Sequence, residues 1–127
     1  MTDGPYIWDI GDPIIFEIFI ADPNTGMSLT GQTSFITLTI QRDFDSKYWS
    51  GSAWVTPLTN LTVTEVSVAD YPGRYRYTLS GSTGNNLATR YIAHANIDNP
   101  PLIENIDSYE IHVSRLTDVR VYESEPA

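Results

Sequence analysis

The sequence predicts an all-β protein, an immunoglobulin-like antiparallel β-sandwich with extended N- and C-terminal arms. Two observations carry this prediction. Apolar residues recur at every second position in several short stretches, which is typical of half-buried strands. Turn-forming residues separate these stretches at frequent intervals, and no stretch shows the helical period. We therefore expect about seven to nine short strands in two packed sheets.

Length and composition limit the possible classes of protein. The chain has 127 residues, enough for one domain with its own core, and its lack of Cys excludes disulfides and cysteine-based metal sites. A net charge of −9 argues against nucleic-acid binding, which depends on neutralising phosphates with Lys and Arg. No apolar run is long enough to cross a membrane, and the first residues lack the features of a signal peptide. We expect neither nucleic acid nor a membrane as a partner.

The expected organisation is an N-terminal arm (residues 1–12), a sandwich domain (residues 13–114) and a C-terminal strand or tail (residues 115–127). The arm carries three large apolar residues, Tyr6, Ile7 and Trp8. Such residues need a surface to bury against. Two interpretations remain open: the arm covers the end of the domain's own core, or it docks on a neighbouring subunit.

Alternation assigns the individual strands and a core. In the first strand, residues 14–20, the even-numbered side chains point inward, and the outward face, with Ile15 and Phe19, is unusually apolar. That face is either covered by another strand or marks an interface. Later strands are expected at residues 35–42, 48–49 with 54–55, 61–68, 74–79, 87–97 and 109–113. The expected core is Phe16, Ile18, Ile36, Leu38, Ile40, Trp54, Leu61, Tyr75, Tyr77, Leu79, Tyr91, Ala93, Ile111 and Val113.

The stretch from Asp70 to Tyr77 predicts a tyrosine corner. It reads Asp-x-x-Gly-x-Tyr-x-Tyr, with Tyr75 as the corner tyrosine, its hydroxyl bonded to nearby backbone. Tyr77 would take the inward position that antibody domains fill with Cys. Gly73 supplies a permissive φ for the tight approach. Asp70, Gly73 and Tyr75 are therefore the expected structural corner.

The sequence contains no recognisable catalytic constellation. His94 and His112 are expected on the outward faces of their strands, and two histidines without a third ligand are weak evidence for a metal site. Asp43 and Asp45 form an Asp-x-Asp pair in a turn, but the further ligands of a calcium loop are missing, which favours a solvated hairpin tip. We expect no catalytic residues, no metal and no cofactor, and hence a protein that is not an enzyme.

Aromatic residues around the Ser50-Gly51-Ser52 turn offer an alternative function. Tyr48, Trp49 and Trp54 could stack on a sugar ring, as aromatic residues do in carbohydrate-binding modules. The competing interpretation, which we favour, is that Trp54 fills the core and Trp49 covers a sheet edge.

Several motifs resemble a family of small virion proteins of tailed bacteriophages, over roughly residues 14–80. The matching segments are Asp22-Pro23-Asn24-Thr25-Gly26, Thr30-Gly31, Tyr48-Trp49-Ser50-Gly51-Ser52-Ala53-Trp54, Leu61-Thr62-Val63-Thr64-Glu65 and Pro72-Gly73-Arg74-Tyr75-Arg76-Tyr77. The resemblance implies an immunoglobulin-like β-sandwich that decorates or joins parts of the particle. It implies no enzyme active site.

The expected function is that of a non-enzymatic structural protein of a phage particle, either a capsid decoration or cement protein or a tail-associated component. It would be made in the host cytoplasm, reside in the virion, and bind major capsid or tail proteins and other copies of itself. The alternative is a carbohydrate-binding module for host attachment, and a small hydrolase is a disfavoured third hypothesis. The expected interface residues are Tyr6, Ile7, Trp8, Ile15, Phe19, Val119, Val121 and Tyr122. Strand addition by the alternating C-terminal segment is the expected form of contact.

Overall fold

A computed structural model shows an all-β chain whose strands form two sheets packed against each other, so the predicted β-sandwich is confirmed. The structure describes residues 6–22, 24–100 and 102–115, without the side chains of Tyr6 and Glu104. The immunoglobulin-like topology remains a prediction. The strands are β1 (Tyr6–Asp9), β2 (Ile14–Phe19), β3 (Ile36–Arg42), β4 (Tyr48–Trp49), β5 (Trp54–Val55), β6 (Thr64–Ser67), β7 (Tyr71–Leu79), β8 (Arg90–Asn99) and β9 (Ile103–Arg115), with a 3-10 turn at Thr33–Phe35.

The two sheets differ in size. The large sheet has the strand order β1-β9-β8-β3-β4-β5, and the small sheet has the order β2-β7-β6. A long antiparallel hairpin of β8 and β9 dominates the large sheet and contains an irregularity between Ile97 and Asn99. Because β2 stands at the end of the small sheet, one of its edges pairs with β7 and the other has no partner among the described strands.

The prediction of an arm distinct from the main sheet is wrong for residues 6–9. These residues form β1, which pairs in parallel with β9, from Tyr6 opposite His112 to Asp9 opposite Arg115. Trp8 packs against the core cluster and donates a hydrogen bond from Nε1 to His112 Nδ1 at 2.8 Å. Ladder pairing and burial of the indole together bring this segment into the sheet.

The burial of the two tryptophans of the β4–β5 hairpin is the reverse of the prediction. Trp49 is 1 % exposed and fills the core, whereas Trp54 is half-buried. The two residues are directly opposite in the hairpin, so their side chains share one face. Trp49 lies on β4, which pairs with β3, while Trp54 lies on β5 at the sheet edge. Position within the sheet therefore decides which indole is buried.

The expected inward face of β9 is also wrong. Ile111 is exposed and Val113 is half-buried, whereas His112 and Ser114 are each 2 % exposed. The register of the β8–β9 hairpin explains this result, since it places His112 opposite the buried Tyr91 and on the same face. His112 is consequently an inward residue and not the surface histidine that alternation predicts.

The Tyr75 hydroxyl does bond to backbone, but to a segment that is distant in sequence. It donates to the carbonyl oxygen of Leu29 at 2.8 Å and accepts the N–H of Gln32 at 3.0 Å. Gly73 has a φ of 81°, and a Cβ there would lie 2.7 Å from the carbonyl oxygen of Ile20. Asp70 is exposed in the turn before β7. Tyr75 and Gly73 thus hold β7 against the 28–32 segment, whereas the N–H of Asp70 bonds within its own turn, and this arrangement differs from a tyrosine corner closed within a few residues.

Replacing Tyr75 by Phe should lower the free energy of unfolding by about 1–3 kcal/mol, because the buried N–H of Gln32 loses its acceptor. Urea unfolding measures the change as a lower midpoint with an unchanged slope. Tyr71→Phe is the matched control, since Tyr71 is 54 % exposed. An equal shift in both variants would contradict the role given to the Tyr75 hydroxyl.

Candidate functional site

A groove of about 610 Å³ lies between the two sheets, beside the edge of β2 that has no partner among the described strands. We call this edge the open edge. One wall of the groove is the second half of β2 and the residues that follow it, and the other wall is the inward face of the β8–β9 hairpin. The residues that matter below are Glu17, Ile18 and Phe19 on the first wall and Ala93, Ala95, Ile103, Ile106, Ser108 and Glu110 on the second.

The groove exists because the small sheet covers only part of the large one. At the start of β2, the ring of Phe16 lies 4.3 Å from the ring of His112, so β9 is covered there. Toward the β8–β9 turn, the inward residues of β9 lose this cover: Glu110 is half-buried, and Ser108 and Ile106 are exposed. Strands of two packed sheets cross at about 30°, which opens a wedge at one end of an edge strand. One more strand beside β2 would fill that wedge.

The deepest part of the second wall is apolar, with small side chains at its centre. Ala93 and Ala95 of β8 are each 4 % exposed, and Ile97 and Ile103 continue the surface toward the turn. Methyl side chains at the two central positions give the groove its depth. Apolar depth beside an open strand edge is the combination that peptide strands use when they add to a sheet, with backbone hydrogen bonds for affinity and side-chain pockets for specificity.

Two carboxylates border the groove. Glu17, on the outer face of β2, accepts a hydrogen bond from Arg76 at 2.6 Å and lies 3.9 Å from Arg74. Glu110, on β9, lies 3.1 Å from His112 Nε2. Since His112 Nδ1 accepts the indole N–H of Trp8, Nε2 carries the ring hydrogen and donates to Glu110. This Trp8–His112–Glu110 chain joins β1 to the groove and orients the Glu110 carboxylate.

Those of the predicted interface residues that the structure describes lie on different surfaces. Ile15 and Phe19 are exposed on the outer face of β2, and Phe19 also borders the groove. Ile7 is exposed on the large sheet, whereas Trp8 is partly buried against the core. The backbone of Tyr6 pairs in β1, but its side chain, like Val119, Val121 and Tyr122, lies outside the described residues.

A second cluster, which sequence reasoning missed, lies on the outer face of the β8–β9 hairpin. Tyr109 is 67 % exposed, and its ring stacks on His94 with the centroids 4.4 Å apart. Asp107 accepts hydrogen bonds from Asn96 at 2.8 Å and from His94 at 3.0 Å. These two bonds, first that of Asn96, hold the pKa of Asp107 below its ordinary value. Only the hairpin register brings these residues together, and alternation along each strand gives no sign of it.

The Asp43 and Asp45 carboxylates both bind arginines. Asp43 accepts from Arg90 at 2.9 Å, and Asp45 forms a bidentate pair with Arg42 at 2.8 and 2.9 Å. The hydrogen bonds from Arg42 are the main cause that lowers the pKa of Asp45 to about 2. Within residues 6–22, 24–100 and 102–115, no three His, Asp or Glu side chains are grouped so as to hold a metal ion.

Acid should remove the contribution of the Asp45–Arg42 pair to stability. The folded-state pKa of Asp45 is about 2, below the ordinary Asp value, so the pair stabilises the fold above about pH 4 and is lost as the pH falls toward 2. We expect Asp45→Asn to be less stable than the wild type at pH 5 and to converge with it near pH 2 in thermal unfolding. A constant difference across that range would contradict this expectation. Asp70→Asn, at an exposed turn, is the control.

Comparison with protein-family models, with curated proteins and with solved structures found no match to this chain. The described part of the chain contains no helix of the length and apolarity needed to span a bilayer.

Proposed function

We propose that the protein is a non-enzymatic structural component of a tailed-phage particle, a capsid decoration or tail-associated protein that joins neighbouring virion proteins. The observation that carries this proposal is the apolar groove beside the open edge of β2. The motifs that resemble small virion proteins support the phage setting. In this proposal the protein is made in the host cytoplasm, resides in the virion, and takes an extended strand of a neighbouring subunit into the groove.

The groove favours a strand over a compact ligand for two reasons. Its first wall is an open strand edge, whose alternate backbone N–H and C=O groups have no partner strand among the described residues. On its second wall, Ile106 is exposed and Glu110 is half-buried, although both lie on the face of β9 that elsewhere packs against the core. A strand laid along β2 would satisfy the backbone groups of the first wall and cover the apolar residues of the second.

Weak contacts of this kind suffice on a particle. A decoration or tail protein is present in many copies, and simultaneous engagement raises the overall affinity well above that of one contact. The net charge of −9 limits non-specific binding to nucleic acid while the particle assembles.

Filling the groove tests the proposal. Ser108 is exposed and faces the groove, so Ser108→Trp places a large ring there without disturbing the buried core. We expect this variant to keep the unfolding midpoint of the wild type and to be incorporated into phage particles at least tenfold less. Ser82→Trp, on the exposed loop after β7 near the start of β2, is the matched control. Normal incorporation of Ser108→Trp would refute the proposal.

Carbohydrate binding for host attachment is the second candidate function, and one observation favours it. Tyr109 presents an exposed ring beside the amide of Asn96 and the carboxylate of Asp107, a combination suited to stacking on a sugar and bonding its hydroxyls. The alternative platform at Tyr48, Trp49 and Trp54 is left without the Trp49 ring, since that indole is buried. A glycan array probed with wild type and with Tyr109→Ala tests this candidate: loss of a signal supports it, and an array without wild-type signal refutes it.

A further inference from the structure

We infer that the strand that enters the groove is residues 117–123 of a second copy of this chain, laid along the open edge of β2. The inference rests on the proposed function and names the partner that supplies the strand. It makes the protein self-complementary: each copy offers a groove and donates a strand. Residues 116–127 lie outside the described residues, so the argument uses their sequence and the geometry of the groove.

The segment has the two faces that the groove requires. Residues 117–123 read Thr-Asp-Val-Arg-Val-Tyr-Glu. In an extended strand, Val119 and Val121 lie on one face and Arg120 lies between them on the other. The same pattern occurs on β2, where Phe16 points inward, Ile18 is half-buried and Glu17 points outward.

Matching the two patterns fixes the register. With Arg120 opposite Glu17, the two valines point into the groove that Ala93 and Ala95 line, because opposite residues of paired strands point to the same face. The β-branched valines supply the volume that the two alanines leave open. A shift by one residue would turn both valines away from the apolar side chains of the groove and out toward solvent.

Charge and aromatic contacts on the outer face agree with this register. Glu17 already lies 2.6 Å from Arg76 and 3.9 Å from Arg74, and Arg120 would add a third cation on the exposed side of that carboxylate. Tyr122 comes beside Phe19 if the added strand runs parallel to β2, and beside Ile15 if it runs antiparallel. Both residues are exposed in the isolated chain, so either direction gives them cover.

The position of Arg115 points to a second copy and not to the same chain. The carbonyl oxygen of Arg115, at the end of β9, accepts the N–H of Ile10 at 2.9 Å. Residues 10–13 then lead straight into β2, and Asn85 holds this crossover through bonds of 2.9 Å to the Asp9 carbonyl and 2.8 Å to the Asp12 carbonyl. The crossover therefore lies between the end of β9 and the start of β2, and a strand donated within one chain would have to pass around it to reach the open edge. A strand donated by a neighbouring copy would not start from this position.

Donation from one copy to the next is a head-to-tail contact. Such contacts generate a closed ring when the rotation between copies closes, and an open chain when it does not. Either outcome suits a component that repeats around a phage head or along a tail.

A disulfide trap tests the inference directly, since the natural chain has no Cys. Opposite residues in paired strands are close enough for a disulfide. We expect the double variant Glu17→Cys/Arg120→Cys, after mild oxidation of the full-length protein, to give covalent dimers and larger species on a non-reducing gel. A mixture of the two single variants should give dimers whose peptide map contains the 17–120 link.

The register control is Glu17→Cys/Val121→Cys, which places the second thiol on the opposite face and should give at least tenfold less cross-linked product. Three results would overturn the inference. A 17–120 link confined to monomers would show that the chain fills its own groove. Equal yields from the two double variants would show an unspecific encounter. No cross-linking in either variant would show that residues 117–123 do not reach β2.

Truncation after Arg115 separates this inference from the proposed function. We expect the chain of residues 1–115 to remain folded, to lose self-association in sedimentation, and to regain a bound strand when a peptide of residues 116–127 is added. If the truncated chain still enters particles while Ser108→Trp does not, the groove takes its strand from another virion protein and the inference fails alone. If Ser108→Trp enters particles normally, the proposed function fails whatever the cross-links show.

Discussion

Replacing Trp49 by Ala should lower the free energy of unfolding by about 3–5 kcal/mol, the range for removing a large aromatic side chain from a core. Trp49 is 1 % exposed and lies at the inner strand of its hairpin. Its indole N–H also donates to the Tyr77 hydroxyl at 2.9 Å, a bond that the variant loses. Urea unfolding, followed by far-UV circular dichroism, measures the change.

Trp54→Ala is the matched control for this prediction. The Trp54 ring is half-buried and stacks 4.8 Å below the Arg42 guanidinium at the sheet edge, so its removal should have a clearly smaller effect. A larger loss from Trp54→Ala than from Trp49→Ala would mean that Trp54 is the core residue, as its sequence context predicts.

Replacing Asn85 by Ala should lower the free energy of unfolding by about 2–4 kcal/mol, because two carbonyl acceptors lose a buried donor. Asn85 is 0 % exposed, and its Nδ2 binds the carbonyl oxygens of Asp9 and Asp12. The variant should therefore also speed amide exchange at Ile10 and Gly11, in the crossover from β1 to β2.

The adjacent Asn86→Ala is the control, since Asn86 is exposed and such positions usually change stability by less than about 0.5 kcal/mol. If Asn85→Ala resembled Asn86→Ala in both stability and exchange, the crossover would be held by its backbone bonds alone. The side chain of Asn85 would then contribute nothing to holding the crossover between Arg115 and β2.

Alternation predicted the inward faces of β2, β3 and β7, because the inward side chains of these strands are apolar and most of them are buried. It failed on β9 for a physical reason. The inward face of β9 carries Ser108 and Glu110 where it faces the groove, while the outward face carries Tyr109 and Ile111. A rule that equates the more apolar face with the core must fail where the core side is left open.

The hairpin tryptophans show a second limit of the sequence. Alternation and the Ser-Gly-Ser turn predicted the hairpin, but both indoles lie on one face of it. Burial depends on which strand of the hairpin joins the rest of the sheet, and that is a property of strand order. Strand order is set by contacts between residues far apart in the chain, which local patterns do not contain.

The groove could not be predicted for the same reason. Nothing in residues 14–20 says that β2 ends the small sheet, so its apolar outward face admitted two interpretations. The structure shows Ile15 and Phe19 exposed and one edge of β2 without a partner among the described strands. Alternation placed Ile15 and Phe19 on the outward face of β2, and the groove itself follows only from the packing of the two sheets.

We expect the open edge of β2 to take up a strand in the assembled protein, and amide hydrogen exchange along residues 14–20 measures this uptake. Alternate N–H groups of β2 point toward β7, and those between them point to the open edge. In the isolated chain of residues 1–115, we expect slow exchange at the first set and fast exchange at the second. In the assembled full-length protein, both sets should exchange slowly. Fast exchange of the second set in the assembled protein would contradict this uptake.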